Sequence, residues 1–145
     1  MVISYMRHEQ GIAGGLAAEQ SGVKIIRHRG EQSRAGVVCL AEFVVKEISR
    51  PDQAQDLRSE LAQLLKDTGA QFLIMDCSNL EHLVTLGFGA LLSAQKRLAT
   101  QGGRVVLCGI NPLLRDGLVR CSLDRILLLA DDVPTALALV KGNNS

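Results

Sequence analysis

The chain contains no tryptophan, one tyrosine and three phenylalanines, so aromatics make up only 3% of its 145 residues. The base-stacking platforms that single-stranded nucleic-acid binders use are therefore nearly absent. An excess of positive charge is lacking too: 16 Lys plus Arg stand against 15 Asp plus Glu, a net +1. Proteins held to phosphate backbones concentrate cations, so this balance argues against a nucleic-acid partner. No apolar run approaches the ~20 residues of a membrane-spanning helix. The longest, such as Ile126 to Ala130, suit buried strands. The opening MVISYMRHEQGIAGGLAAEQ has neither a basic start nor a sustained apolar core, and is not read as a signal peptide. Cys39, Cys77, Cys108 and Cys121 are widely spaced, with no C-x-x-C pair. Metal-site spacing is missing, and the four read as reduced thiols of a cytoplasmic protein with no metal and no cofactor.

What is present is a globular composition. Hydrophobic residues make up 47% and charged residues 21% of a 15.6 kDa chain. That length suits one domain, which buries roughly 70% of its unfolded surface and needs no cross-link. Residues 1–22 read as an N-terminal extension, residues 23–141 as the domain and residues 142–145 as a tail. Val23 to Arg27 and Val37 to Val45 are β-rich, and the polar stretch RGEQSRAG between them reads as a hairpin connection. Ser49-Arg50-Pro51-Asp52 begins a helix, with Pro near its first position and Asp in its first turn. Ala54, Leu57, Leu61, Leu64 and Leu65 then share one face, Asp56, Arg58, Glu60 and Lys66 fall away from it, and Gly69 ends it.

Strand and helix alternate from there. Phe72 to Met75 reads as a strand covered on both faces. A helix from near Leu86 turns Phe88, Leu91, Leu92 and Leu98 inward. Gly102-Gly103 stops it, and Arg104 to Cys108 is the next strand. Asn111-Pro112 is a cap followed by Pro, opening a helix striped by Leu114, Leu118 and Cys121. Ile126 to Leu129 reads as the last strand. Asp131-Asp132 caps a final helix that buries Val133, Ala136, Leu137 and Val140. The fold class is α/β, with a mixed, mostly parallel sheet backed by helices and a β-hairpin at the front.

Catalytic motifs are missing: no G-x-G-x-x-G, Walker loop, H-E-x-x-H or G-x-S-x-G occurs. His8 and His28 lie in the apparent tail and at a strand end. Cys77 and His82 are five residues apart, and a Cys/His nucleophile needs a third orienting group that the sequence does not show. The chain is read as a non-enzyme. The stretch from Asp76 to Leu92, DCSNLEHLVTLGFGALL, is the informative one. It places Thr85 at or beside a helix N-terminus, where the hydroxyl either caps the helix or accepts a phosphate that faces the positive end of the helix dipole. Gly87 and Gly89 would let a partner approach the backbone closely.

The order of elements, and especially NLEHLVTLGFGALLSAQKRLATQGGRVVLCGINPLLRDGLVRCSLDRILLLADDVPTAL, resembles a STAS domain, the family of bacterial anti-sigma factor antagonists. The resemblance runs from about Lys24 to Val140. The family carries Asp-Ser-Ser/Thr-Gly where a helix opens. Here Val84 stands at the Asp position, Thr85 at the phosphoacceptor position and Leu86 at the next, and Gly87 is retained. The resemblance implies a regulatory protein-interaction module. Its partner-binding lip would be Val84, Leu86, Gly87, Phe88 and Gly89, its candidate phosphoacceptor Thr85, and its partner an anti-sigma factor or a serine/threonine kinase. A homo-oligomer or STAS scaffold is a further assembly it implies. Two other readings stand beside it: a constitutive STAS-like accessory subunit of a membrane transporter, and a small nucleotide-binding or enzymatic α/β protein using its strand C-termini.

Overall fold

Helical spacing of leucine builds the first layer. In the computed structural model, which describes residues 25–33 and 36–141, α1 spans Pro51–Thr68 and buries Ala54, Leu57, Leu61, Leu64 and Leu65. The extension 1–22, Val23–Lys24, residues 34–35 and the tail 142–145 lie outside the described residues. Pro51 opens α1 where a missing N–H costs nothing, and Asp52 sits in the positive first turn. Gln53 Oε1 accepts from the Ser49 and Arg50 amides at 2.9 and 3.1 Å. Gly69, at φ +65°, ends the helix in the left-handed conformation that a side chain disfavours.

Among the described residues, seven strands form two sheets. The main sheet contains β1 (Ile26–Ser33), β2 (Gly36–Phe43), β4 (Phe72–Asp76), β6 (Arg104–Cys108) and β7 (Leu128–Ala130), side by side in that order. β1 is antiparallel to β2, and all other neighbours are parallel. A two-stranded parallel sheet pairs β3 (Glu47–Ile48) with β5 (His82–Leu83). The other α-helices among the described residues are α2 (Thr85–Ala99), α3 (Pro112–Arg120) and α4 (Val133–Lys141). Alternation along each strand divides the core. Cys39, Ala41, Leu73, Met75, Val105 and Leu107 face the larger layer with α1, α2 and α3, whereas Val38, Ile74, Val106 and Cys108 pack with Ala136 and Val140 of α4.

The α/β class with its mixed, mostly parallel sheet is the one expected, and several boundaries differ. The stretch expected to connect the hairpin is largely strand, since β1 runs to Ser33 and pairs down to Ser33↔Gly36. A strand paired on one side only needs backbone partners rather than apolar side chains, so its polar sequence hid it. β2 stops at Phe43, short of Val45. The last strand is Leu128–Ala130 because residues Leu123–Arg125 form a 3₁₀ turn, and the Ile126 and Leu127 amides donate back to the Leu123 carbonyl. Glu60, placed on the outer side of α1 by periodicity, turns its carboxylate to the backbone. It accepts from the Ile25 amide at 3.0 and 3.1 Å and from Ile26 at 3.0 Å, fastening the start of β1 to α1.

Candidate functional site

The region after β4 is built by side chains that replace missing backbone pairing. Asp76 Oδ1 accepts from the Ser78 amide at 3.0 Å and the Ser78 hydroxyl at 2.6 Å, turning the chain. Asn79 Nδ2 donates to the Phe43 carbonyl at 3.0 Å, and Asn111 Nδ2 lies 3.3 Å from the carbonyls of Leu80 and Glu81. These amides tie the loop to the ends of β2 and α3. The Val84 amide then donates to the Ile48 carbonyl at 2.8 Å, which fixes where α2 begins.

Val84, at φ −71° and ψ 156°, is the residue that caps α2, and it makes no side-chain cap bond. Thr85 is the first residue inside the helix. The reading of its hydroxyl as a helix cap is therefore wrong. The β5 ladder sets the register one residue earlier than a Thr cap would require, so Val84 occupies the extended capping position. Thr85 is exposed, Leu86 is 55% exposed, and Val84 and Gly89 are half-buried.

Gly87 and Phe88 are buried. A Cβ at Gly87 would overlap the Leu83 side chain, so this glycine serves close packing of α2 on β5. Phe88 points down onto Gly117 of α3. Phe88 is buried in that contact, and Gly117 is half-buried. Of the residues expected to form a lip, the helical period sends 85 and 86 outward and 87 and 88 inward.

Leu113 was not legible as part of this surface. Both α2 and α3 follow parallel strands, so both start at the same end of the sheet. Phe88 meets Gly117; one turn back toward each N-terminus lie Val84 and Thr85 on α2 and Leu113 on α3. Leu113 is 57% exposed. The first turns of α2 and α3 carry no acidic residue. The surface that results carries the exposed apolar side chains of Leu86 and Leu113 and the Thr85 hydroxyl, with exposed Arg115 and Asp116 following Leu113 on α3.

The Cys77/His82 pair shows no nucleophile. Cys77 is buried, its thiol donates to the Met75 carbonyl at 3.7 Å, and burial pushes its pKa up. His82 is exposed on β5. Burial likewise pushes the Cys39 and Cys108 thiols up to about 12, so the reactive thiolate is suppressed at both. Among the described residues, no three His, Cys, Asp or Glu side chains are grouped to hold a metal ion, and no helix is long and apolar enough to cross a membrane.

The family model of the STAS domain matches residues 52–136, more than half of the chain. The chain belongs to the STAS family. That span begins in α1, contains the whole Thr85 surface and ends in α4. Solved STAS structures share the fold. An anti-sigma-factor antagonist domain protein from Planctomyces limnophilus is 21% identical with a TM-score of 0.68, over 79% of this chain and 96% of that one. An anti-sigma factor antagonist from Mycobacterium paratuberculosis is 22% identical with a TM-score of 0.62, over 79% and 93%. The Bacillus cell fate determinant SpoIIAA, solved in its phosphorylated form, is 16% identical with a TM-score of 0.57, over 79% and 100%.

Proposed function

We propose that this STAS domain is a non-catalytic, cytoplasmic regulatory module that docks an anti-sigma factor or a serine/threonine kinase through Val84, Thr85, Leu86 and Leu113, and that phosphorylation of Thr85 switches the docking. The observation that carries the reading is the position of Thr85: exposed, at the first residue of α2, and without a cap bond. Leu86, next in sequence, and Leu113 in the first turn of α3 are more than half exposed. Apolar side chains left in water at one end of a sheet are what a protein partner covers.

The switch follows from charge. A kinase would transfer the γ-phosphoryl group of its ATP to Thr85 Oγ1; the hydroxyl proton leaves to the kinase and ADP is released. The nucleotide belongs to the kinase. The product carries −1.5 to −2 charges. The free N–H groups and positive dipole end of α2 stabilise it in the folded domain. Against an apolar partner it must lose its water, so docking weakens while the fold stays intact. Among the structural relatives, proteins of this fold are described as anti-sigma factor antagonists, and one was solved phosphorylated. Both facts support the reading.

A second reading is favoured by one residue. Val84 stands where the family motif has Asp, which makes the lip greasier and suits a permanent contact, such as that of an accessory subunit on a transporter. Capture from native lysate with wild-type, Thr85→Ala and Thr85→Asp proteins, followed by phosphosite mapping, separates the two. The switch requires a kinase or anti-sigma factor bound by wild type and Thr85→Ala and lost by Thr85→Asp, with phosphate found on Thr85. Equal capture by all three, with no phosphate on Thr85, would overturn it.

A further inference from the structure

We propose that Arg50, at the start of α1, holds the phosphate of phosphorylated Thr85 and gives up its contact with Asp52 to do so. The inference rests on the switch proposed above and adds how the domain itself reads it. It begins with the short parallel ladder. Glu47 pairs with His82 and Ile48 with Leu83, and the Val84 amide donates to the Ile48 carbonyl at 2.8 Å. Two residues beyond Ile48 stands Arg50, and two beyond Leu83 stands Thr85. The chain leaves both strands extended, with φ −122° and ψ 153° at Arg50 and φ −71° and ψ 156° at Val84. Arg50 caps α1 and Thr85 is the first residue of α2, so the two stand level on paired segments about 4.8 Å apart. Both are exposed.

The second observation is the present partner of Arg50. Its Nε and Nη2 donate to Asp52 Oδ1 and Oδ2 at 3.0 and 3.2 Å, with the two side chains 62% and 67% exposed. An ion pair so exposed contributes little to stability, so exchanging it costs little. The guanidinium fork that spans two carboxylate oxygens spans two phosphate oxygens as well. At equal distance and screening, the roughly −1.5 to −2 charges of a phosphate attract it up to about twice as strongly as one carboxylate. The phosphate wins the exchange.

Other cations are placed less well. Lys46 lies at the far end of the ladder, where its carbonyl accepts from the Glu81 amide at 2.7 Å. Arg58 lies two turns into α1 and donates to the Ser93 hydroxyl at 2.6 Å. Arg115 stands on α3 beside Asp116. A contact through Arg50 carries the modification from α2 to α1, because Asp52 loses its counter-charge. The partner then meets an altered first turn of α1 as well as a charged Thr85.

The test is a thermal cycle on the full chain, with phosphothreonine placed at 85 by genetic encoding so that no kinase is needed. Stabilisation of the phosphate by the α2 dipole is common to every variant and cancels. At low salt the phosphate is expected to raise Tm by about 2–4 °C more in wild type than in Arg50→Gln. That extra rise should shrink in high salt. Arg115→Gln should keep the wild-type gain, and Asp52→Asn, which removes a repelling carboxylate, should enlarge it. The Arg50 Nε–H resonance of wild type should shift on phosphorylation, a readout that needs no substitution. An unmoved resonance, the same gain in wild type and Arg50→Gln, or a gain lost only in Arg115→Gln would overturn the inference. If the phosphate releases the partner while the two gains are equal, this inference alone fails. If wild type shows the extra gain while partner binding ignores the phosphate, the switch fails and the Arg50 contact stands.

Discussion

Phe88 fills the space that a side chain at Gly117 would need: a Cβ there would stand 2.5 Å from Phe88 Cζ and 2.7 Å from Cε2. This contact limits how closely α2 and α3 approach at Phe88 and Gly117. Gly117→Ala is therefore expected to destabilise the domain. Overpacking against a buried ring costs about 1–3 kcal/mol, while Ala in place of Gly within a helix returns up to about 1 kcal/mol. Urea unfolding should show a lowered midpoint. An unchanged or raised midpoint would mean that Phe88 moves aside freely.

Because Val84 rather than Thr85 caps α2, Thr85→Ala should leave stability within about 0.5 kcal/mol, as for an ordinary surface change. Thr85→Asp should be neutral or stabilising by about 0.3–1 kcal/mol, since a negative charge at the first helical position meets the positive dipole end. Thermal unfolding at low salt reads both. A loss of 1 kcal/mol or more, roughly that of a removed cap, in Thr85→Ala would restore the hydroxyl as the capping group.

Glu60 reaches across from α1 to the first amides of β1. Ile25 and Ile26 are buried, so Glu60→Ala strands donors that water cannot easily reach and should cost about 1–3 kcal/mol. Glu60→Gln keeps one acceptor oxygen and should lose less. Hydrogen exchange at residues 25 and 26 should speed up in the alanine variant. Equal exchange in all three proteins would show that the carboxylate does not hold the strand.

The buried thiols make stability fall at alkaline pH. Burial raises Cys39 and Cys108 from 9.0 to about 12, with Asp76 and Asp132 adding to the effect at Cys108. Above pH 9 the unfolded chain releases these protons while the folded one keeps them. Their contribution is therefore complete below pH 9 and is lost as pH rises toward 12, at up to about 1.4 kcal/mol per unit for each thiol. Cys39→Ala should flatten that limb of the stability curve. In native thiol labelling, half-buried Cys121 should react before Cys39, Cys77 and Cys108. Simultaneous labelling of all four without denaturant would contradict the burial pattern.

Local chemistry in the sequence was enough for most elements. Pro51 and Gly69 bracket α1, Asn111 accepts the Leu114 amide at 2.7 Å to open α3, and Asp132 accepts the Thr135 amide at 2.9 Å at the start of α4. Each signal acts within four residues of the chain, so the sequence alone determined it, along with the α/β class and Thr85 at the start of a helix. What only the tertiary structure decided were pairings between distant segments. β3 joins β5 across 35 positions, and that ladder moves the cap from Thr85 to Val84. Gly117 admits Phe88 from another helix, which takes Phe88 out of the lip. Glu60 serves a strand 34 residues away. A two-residue strand or a single carboxylate leaves no periodic trace, because its energy comes from a partner that only the folded chain brings near.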